Sequence, residues 1–324
     1  MIEQIIFLIV TFVFSAILGK YFIPVLKKLK VGQNERQEGP RTHLRKQGTP
    51  TMGGIMIIIS LIVMVLVYVL GILRDFEKAK PILALLFASV GFGIVGFVDD
   101  YKKVVKKNTD GLNPKLKMFG LLIISVLYTV FLVKFTSIGT GIIIPFTNFE
   151  FMLPLWVYIP FTIVVMLATT NAINLTDGVD GLAGSVSTII VLAIAIIANK
   201  LLFPEVAMFS LILAGAIMGF LIYNFHKAKV MMGDTGSLFL GGAISSILIY
   251  LKMPLFLLIL AIIPVIETLS VILQVLSFRL RGKRIFKMAP LHHHFELTGW
   301  RENRVVGVFS FITFIASVLV IFIV

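Results

Sequence analysis

About ten long apolar runs dominate this chain, at roughly 2–24, 52–73, 81–98, 118–135, 153–170, 186–203, 206–225, 236–251, 255–278 and 305–324. A helix of about 20 such residues crosses the ~30 Å hydrocarbon layer of a bilayer. The runs define the expected fold class: an all-α polytopic integral membrane protein of about ten transmembrane helices. Composition agrees. Of 324 residues, 58% are hydrophobic and only 14% charged, and a soluble domain of this size could not hide so much apolar surface. A soluble enzyme, a disordered chain and a disulfide scaffold are excluded; with no cysteine, so is a Cys-ligated zinc. No long polar segment interrupts the runs, so 1–324 reads as a single transmembrane domain. Two joints are tight, at Pro204-Glu205 and at 252–254.

The net charge of +13 is a topology signal before it is a nucleic-acid signal, because cytoplasmic loops collect Lys and Arg. The first run opens Met1-Ile2-Glu3 without a basic segment and has its positive flank at Lys27, Lys28 and Lys30. It therefore reads as a retained span with the N-terminus outside, not a cleaved signal peptide. Alternation then puts loops 27–50, 99–117, 171–185, 226–235 and 279–304 inside, and both termini outside. Those loops hold 22 of the 29 Lys and Arg residues and the outer loops hold 6, an asymmetry that supports the ten-span count.

Several polar strings stand out against this background. Gly91-Phe92-Gly93-Ile94-Val95-Gly96 has the spacing of a dinucleotide loop but lies inside an apolar run, where small residues serve close helix packing. Asp99-Asp100 ends the same run. Acids there oppose the helix dipole, and successive helix positions diverge by about 100°, so the two are expected to have different jobs. Asn171, Asn174, Asp177 and Asp180 recur every three residues, with Gly178 and Gly181 between and after the acids. In helical geometry they share a face, which favours a ligand surface over a capped turn. Met231-Met232-Gly233-Asp234-Thr235-Gly236-Ser237 opens the eighth run. Asp234 is either a helix cap or a magnesium ligand, since that ion takes one or two carboxylates plus phosphate oxygens. Ala289-Pro290-Leu291-His292-His293-His294-Phe295-Glu296 lies in the most basic loop. Adjacent histidines do not suit zinc, but beside Arg and Lys they suit phosphate contacts. Deep in the spans lie only Glu267 and Lys20. Intramembrane ions are functional candidates, and Glu267 follows Pro264, so a kinked ninth helix with Glu267 bonding a neighbour is expected.

The derived topology gathers Asp99, Asp100, Asn174, Asp177, Asp180, Asp234 and the histidines on one membrane face. A transporter would hold its polar site near the midplane. Carboxylates at one mouth among many cations instead fit phosphoryl transfer between a soluble anion and a membrane anion.

At these residues the chain resembles the polyprenyl-phosphate N-acetylhexosamine-1-phosphate transferases. The resemblance runs essentially end to end. It rests on the strings from Gly48 to Gly54, Phe97 to Asp100, Asn174 to Gly181, Met232 to Ser237 and Ala289 to Glu296. The triple histidine is similar to the branch acting on UDP-N-acetylmuramoyl-pentapeptide, and it separates that branch from UDP-N-acetylglucosamine relatives. The resemblance implies transfer of phospho-N-acetylmuramoyl-pentapeptide to undecaprenyl phosphate, giving lipid I and UMP with Mg2+, in a bacterial plasma membrane with the site cytoplasmic. By its motifs Asp234 would ligate magnesium, and Asp99 or Asp100 would act as base or, as the lesser alternative, nucleophile. Asn174, Asp177 and Asp180 would line the uridine site with Lys46. Lys103, Lys107 and Lys115 would neutralise the diphosphate, and His292 and His293 would assist at phosphate or nucleotide. One departure is Met231, where many members carry Phe able to stack on uracil. Members are often homodimers. The competing readings are a UDP-N-acetylglucosamine transferase and, in another class, a flippase of lipid-linked intermediates. A kinked ninth helix near Pro264 is expected to open an apolar groove for the lipid.

Overall fold

The computed structural model describes residues 2–29, 48–106, 111–147 and 149–324. In chain order its helices are α1 (Ile2–Lys28), α2 (Gly54–Val67), α3 (Phe76–Lys106), α4 (Pro114–Phe135), α5 (Leu155–Thr176), α6 (Leu182–Lys200), α7 (Pro204–Asn224), α8 (Gly233–Tyr250), α9 (Leu257–Leu260), α10 (Ile262–Arg281), α11 (Leu291–Leu297) and α12 (Glu302–Ile323). A π-helical stretch, Tyr68–Leu73, prolongs α2. Between α4 and α5 a small hairpin pairs β1 (Gly141–Ile143) antiparallel with β2 (Glu150–Met152), Gly141 opposite Met152. Among the described residues nine helices are long and apolar enough to cross a membrane: α1, α2 with its π-helical end, α3 to α7, α10 and α12. The chain is an all-α, multi-pass membrane protein.

The expected eighth span differs in kind from the other nine. It is α8, 18 residues or about 27 Å long at 1.5 Å per residue. Its polar opening, Gly233-Asp234-Thr235-Gly236-Ser237, lowers its hydropathy. Every residue from Thr235 to Tyr250 is buried, with α3, α5 and α2 packed round it. Protein rather than lipid surrounds this helix, so its polar groups meet partners instead of hydrocarbon. Ser245 Oγ donates to the Gly241 carbonyl at 2.8 Å, and Tyr128 Oη on α4 donates to the Ser246 carbonyl at 2.8 Å.

Glycines allow this approach. A Cβ on Gly96 of α3 would collide with the Asp234 carbonyl, and one on Gly54 of α2 would collide with the Gly236 backbone. Gly91 and Gly93 likewise face Ile124 and Phe239, so the string from Gly91 to Gly96 serves helix packing. Gly96→Ala is expected to cost roughly 1–3 kcal/mol, the usual penalty for overpacking a core, because backbone on α8 cannot yield as a flexible side chain would. A lowered melting transition in detergent is the measurement; a wild-type melt would show that α8 shifts freely.

The expected ninth span is two pieces. A 3-10 turn over Pro254–Phe256 leads into α9, and the backbone breaks at Ala261 (φ −98°, ψ 35°) before α10. Pro264 explains the break. It has no N–H for the Leu260 carbonyl, and its ring would clash with that carbonyl in a continuous helix. The bend therefore falls three residues before the proline.

Candidate active site

Asp99 and Asp100 lie near the C-terminal end of α3, beside the N-terminus of α8, and both are buried. They have different partners, as their divergence on a helix requires. Asp100 accepts the Asp234 N–H at 3.2 Å, the Thr235 N–H at 2.9 Å and the Thr235 hydroxyl at 2.7 Å. It thus caps α8 from another helix, satisfying donors that a helix start leaves open. Asp99 accepts the Leu112 N–H at 2.8 Å and faces the Lys103 ammonium at 2.6 Å. Asp234, in the first turn of α8, takes Asn174 Nδ2 on Oδ1 at 2.8 Å. On Oδ2 it takes Lys103 Nζ at 2.9 Å and Lys117 Nζ at 2.6 Å.

Lys117 was not among the sequence candidates; Lys115 was. The structure turns Lys115 outward, exposed, with its backbone N–H on the Asn113 side chain at 2.9 Å. Asn113 caps α4 and Pro114 starts it, so Lys117 sits one turn inside and about 200° round from Lys115. Lys117 continues the buried stripe of Leu121, Ser125 and Tyr128. That stripe, run back from the apolar positions to the Asn-Pro start signal, was the available clue. Thr235 and Ser237 were missed as well. Ser237 Oγ is 2.8 Å from Asn174 Nδ2; a hydroxyl one turn into a helix carries no distinctive sequence signal. Lys46 and Lys107 lie outside the described residues.

The four polar residues from Asn171 to Asp180 do not share one face. α5 ends at Thr176, and Asp177 is its C-cap. Asn174 turns to Asp234, but Asn171 Nδ2 donates back to the Leu167 carbonyl at 2.7 Å. Asp180, beyond the helix, accepts the Ala228 N–H at 3.0 Å and approaches His226 at 3.7 Å. A three-residue spacing drifts by about 60° per step even in a helix, and here the helix stops midway. Asp177 stays close to the acids. Burial, reinforced by the carboxylates of Asp234, Asp100 and Asp180, holds its carboxyl well above the usual carboxylate range. Met231 is buried in a strap against the Gly48 to Gly54 string: its N–H donates to the Pro50 carbonyl at 2.8 Å, and the Gly53 N–H donates to its carbonyl at 2.9 Å.

The three histidines of α11 are held differently. His292 Nδ1 is 3.1 Å from Glu267 Oε1 on α10, the neighbour contact expected for Glu267. His293 Nδ1 is 3.0 Å from Glu296 Oε2, and His294 Nδ1 accepts the Lys287 N–H at 3.1 Å. His292 lies against the turn after α5, where a Cβ on Gly178 would collide with its Nε2.

The acid centre has the donors of a hard-cation site. Asp99, Asp100 and Asp234 offer carboxylate oxygens within 4.8 Å of one another, no histidine among the described residues joins them, and two ammonium groups are already drawn to Asp234. Such a set suits an oxygen-seeking divalent ion.

Residues 82–252, which carry all three carboxylates and both ammonium groups, match Glycosyl transferase family 4. Fold and site together define a membrane-embedded transferase of that class. Residues 46–58 match phospho-N-acetylmuramoyl-pentapeptide-transferase signature 1. A phospho-N-acetylmuramoyl-pentapeptide-transferase of Clostridium botulinum (strain Eklund 17B / Type B) is 49% identical over 312 residues, 96% of this chain and 94% of that one. One from Acetivibrio thermocellus is 48% identical over 313 residues, 96% of this chain and 92% of its own length. One from Halalkalibacterium halodurans is 47% identical over 324 residues, covering 99% and 98%. The chain belongs to the phospho-N-acetylmuramoyl-pentapeptide-transferase family.

Proposed function

We propose that this protein transfers phospho-N-acetylmuramoyl-pentapeptide from UDP to undecaprenyl phosphate at the cytoplasmic face of a bacterial plasma membrane, giving lipid I and UMP. The observation that carries the reading is the meeting of three carboxylates with Lys103 and Lys117 at one end of the bundle. In phosphoryl transfer, positioning and charge neutralisation supply most of the catalysis. An oxygen of the lipid phosphate attacks the sugar-linked phosphorus, and the bond to the UMP phosphate breaks.

Asp99 is the base that takes the proton of the lipid phosphate; Asp100 is committed to the start of α8 by its three accepted hydrogen bonds. Lys103 and Lys117 hold the diphosphate and neutralise the departing UMP, Lys107 and Lys115 add positive charge toward the diphosphate, and Lys46 serves the uridine side. Asn174, Asp177, Asp180 and Met231 line the nucleoside side, and His292 and His293 contact phosphate or nucleotide. Asp234 would hold Mg2+, which would supply charge neutralisation at the phosphate oxygens. The polyprenyl chain lies along α10 beyond the break at Ala261, where Leu269, Ile272, Leu273 and Leu276 are exposed.

The purified protein, given undecaprenyl phosphate and Mg2+, is expected to release UMP from UDP-N-acetylmuramoyl-pentapeptide and not from UDP-N-acetylglucosamine. Release from the second nucleotide alone would move the protein to the other branch. No release from a folded protein that moves lipid-linked sugars across liposomes would make it a flippase. No phosphosugar adduct is expected on Asp99 or Asp100.

A further inference from the structure

Glu267 and His292 form a buried pair that the reaction above does not use in full. Glu267 is 0% exposed and His292 1%. Glu267 Oε1 accepts the His292 backbone N–H at 3.2 Å and faces Nδ1 of the same residue at 3.1 Å. Glu267 Oε2 and His292 Nε2 are buried without a hydrogen-bond partner among the described residues. An ionisable group at this depth is costly, and an unpaired buried polar atom adds to that cost. An apolar pair would join α10 to α11 without either penalty, so adhesion alone does not explain these residues.

Their geometry does. Oε1 accepts the backbone N–H, so the ring nitrogen opposite it carries the hydrogen. The ring is then fixed with its Nε2 lone pair facing the turn at Gly178, next to Asp177. A partner on one imidazole nitrogen sets which nitrogen is free for chemistry and where it points. His293 and His294 take partners within or just before α11; His292 is tied to another helix, 25 residues upstream.

We infer that Glu267 is a positioning residue: it holds His292 in the Nδ1–H form and aims Nε2 at a hydroxyl or phosphate of the nucleotide substrate seated against the 177–181 turn. This rests on the reading of His292 as a substrate contact.

The test uses the full chain in detergent, labelled with ¹⁵N-histidine. Glu267→Gln offers the ring either an oxygen or an amide, so the His292 ¹⁵N signals are expected to lose the single Nδ1–H pattern. The kcat of UMP release should fall roughly 10–100-fold, as for groups that orient a functional histidine, with KM for the nucleotide changed far less. Glu267→Asp should recover part of both, and it carries the same test should Glu267→Gln not fold. Wild-type kcat in the Gln variant, or a loss of kcat with an unchanged His292 spectrum, overturns the proposal. Full turnover by His292→Gln would instead remove His292 from the substrate site, a separate failure.

Discussion

An Asp234→Asn variant is expected to release UMP about 10³-fold more slowly than the parent while keeping its melting transition. That is the upper end for removing one preorganised charge-stabilising group. The exchange preserves volume, and one oxygen remains for Asn174. Its amide, however, would face the Lys103 and Lys117 ammonium groups, which now lie 2.9 and 2.6 Å from Oδ2. An acceptor holding two cations becomes a donor among donors, and the charge that would hold Mg2+ is gone. Weakened binding of Mn2+ to the resting protein, followed by electron paramagnetic resonance, reads this loss without turnover. Undiminished UMP release would take Asp234 out of the centre, and unchanged Mn2+ affinity would separate it from the metal.

The membrane-crossing helices were legible because the bilayer imposes a length on every span, so apolar runs alone placed them. Even α8 was visible, although its polar start and its burial from Thr235 to Tyr250 make it a core helix. The acids were legible for a related reason: a carboxylate at the mouth of an apolar run needs a partner, and Asp99, Asp100 and Asp234 each find one there. Local chain direction was not legible. The three-residue rhythm from Asn171 to Asp180 assumed a helix that stops at Thr176, and the rhythm outweighed the Asp177-Gly178 pair, a turn signal, that marks the stop. Pro264 announced a bend but not its place. Asp100 read as a candidate base, yet it caps a helix 134 residues away in sequence, and such an assignment needs the packing of α3 on α8.

Lys117→Met should lower kcat/KM for the sugar nucleotide by roughly 10²- to 10³-fold, the range for losing a preorganised stabilising donor. Lys115→Met should stay within about threefold, since an exposed charge contributes little. The two lysines are two residues apart in one basic loop, so net charge, long-range steering and topology treat them alike. Only the start of α4 at Pro114 separates them. It puts the Lys117 ammonium 2.6 Å from Asp234 and 4.0 Å from Asp99, partly buried, where Coulomb attraction is screened less by solvent. Removing it leaves Lys103, among the described residues, to offset three carboxylates, and the arriving diphosphate loses one of the two described cations at the acid centre. Measured at two salt concentrations, the Lys117 deficit should persist at high salt, whereas any Lys115 effect should fade. Equal losses from both substitutions would mean that the loop acts as a diffuse positive surface, and the pairing of Lys117 with Asp234 would then have no part in catalysis.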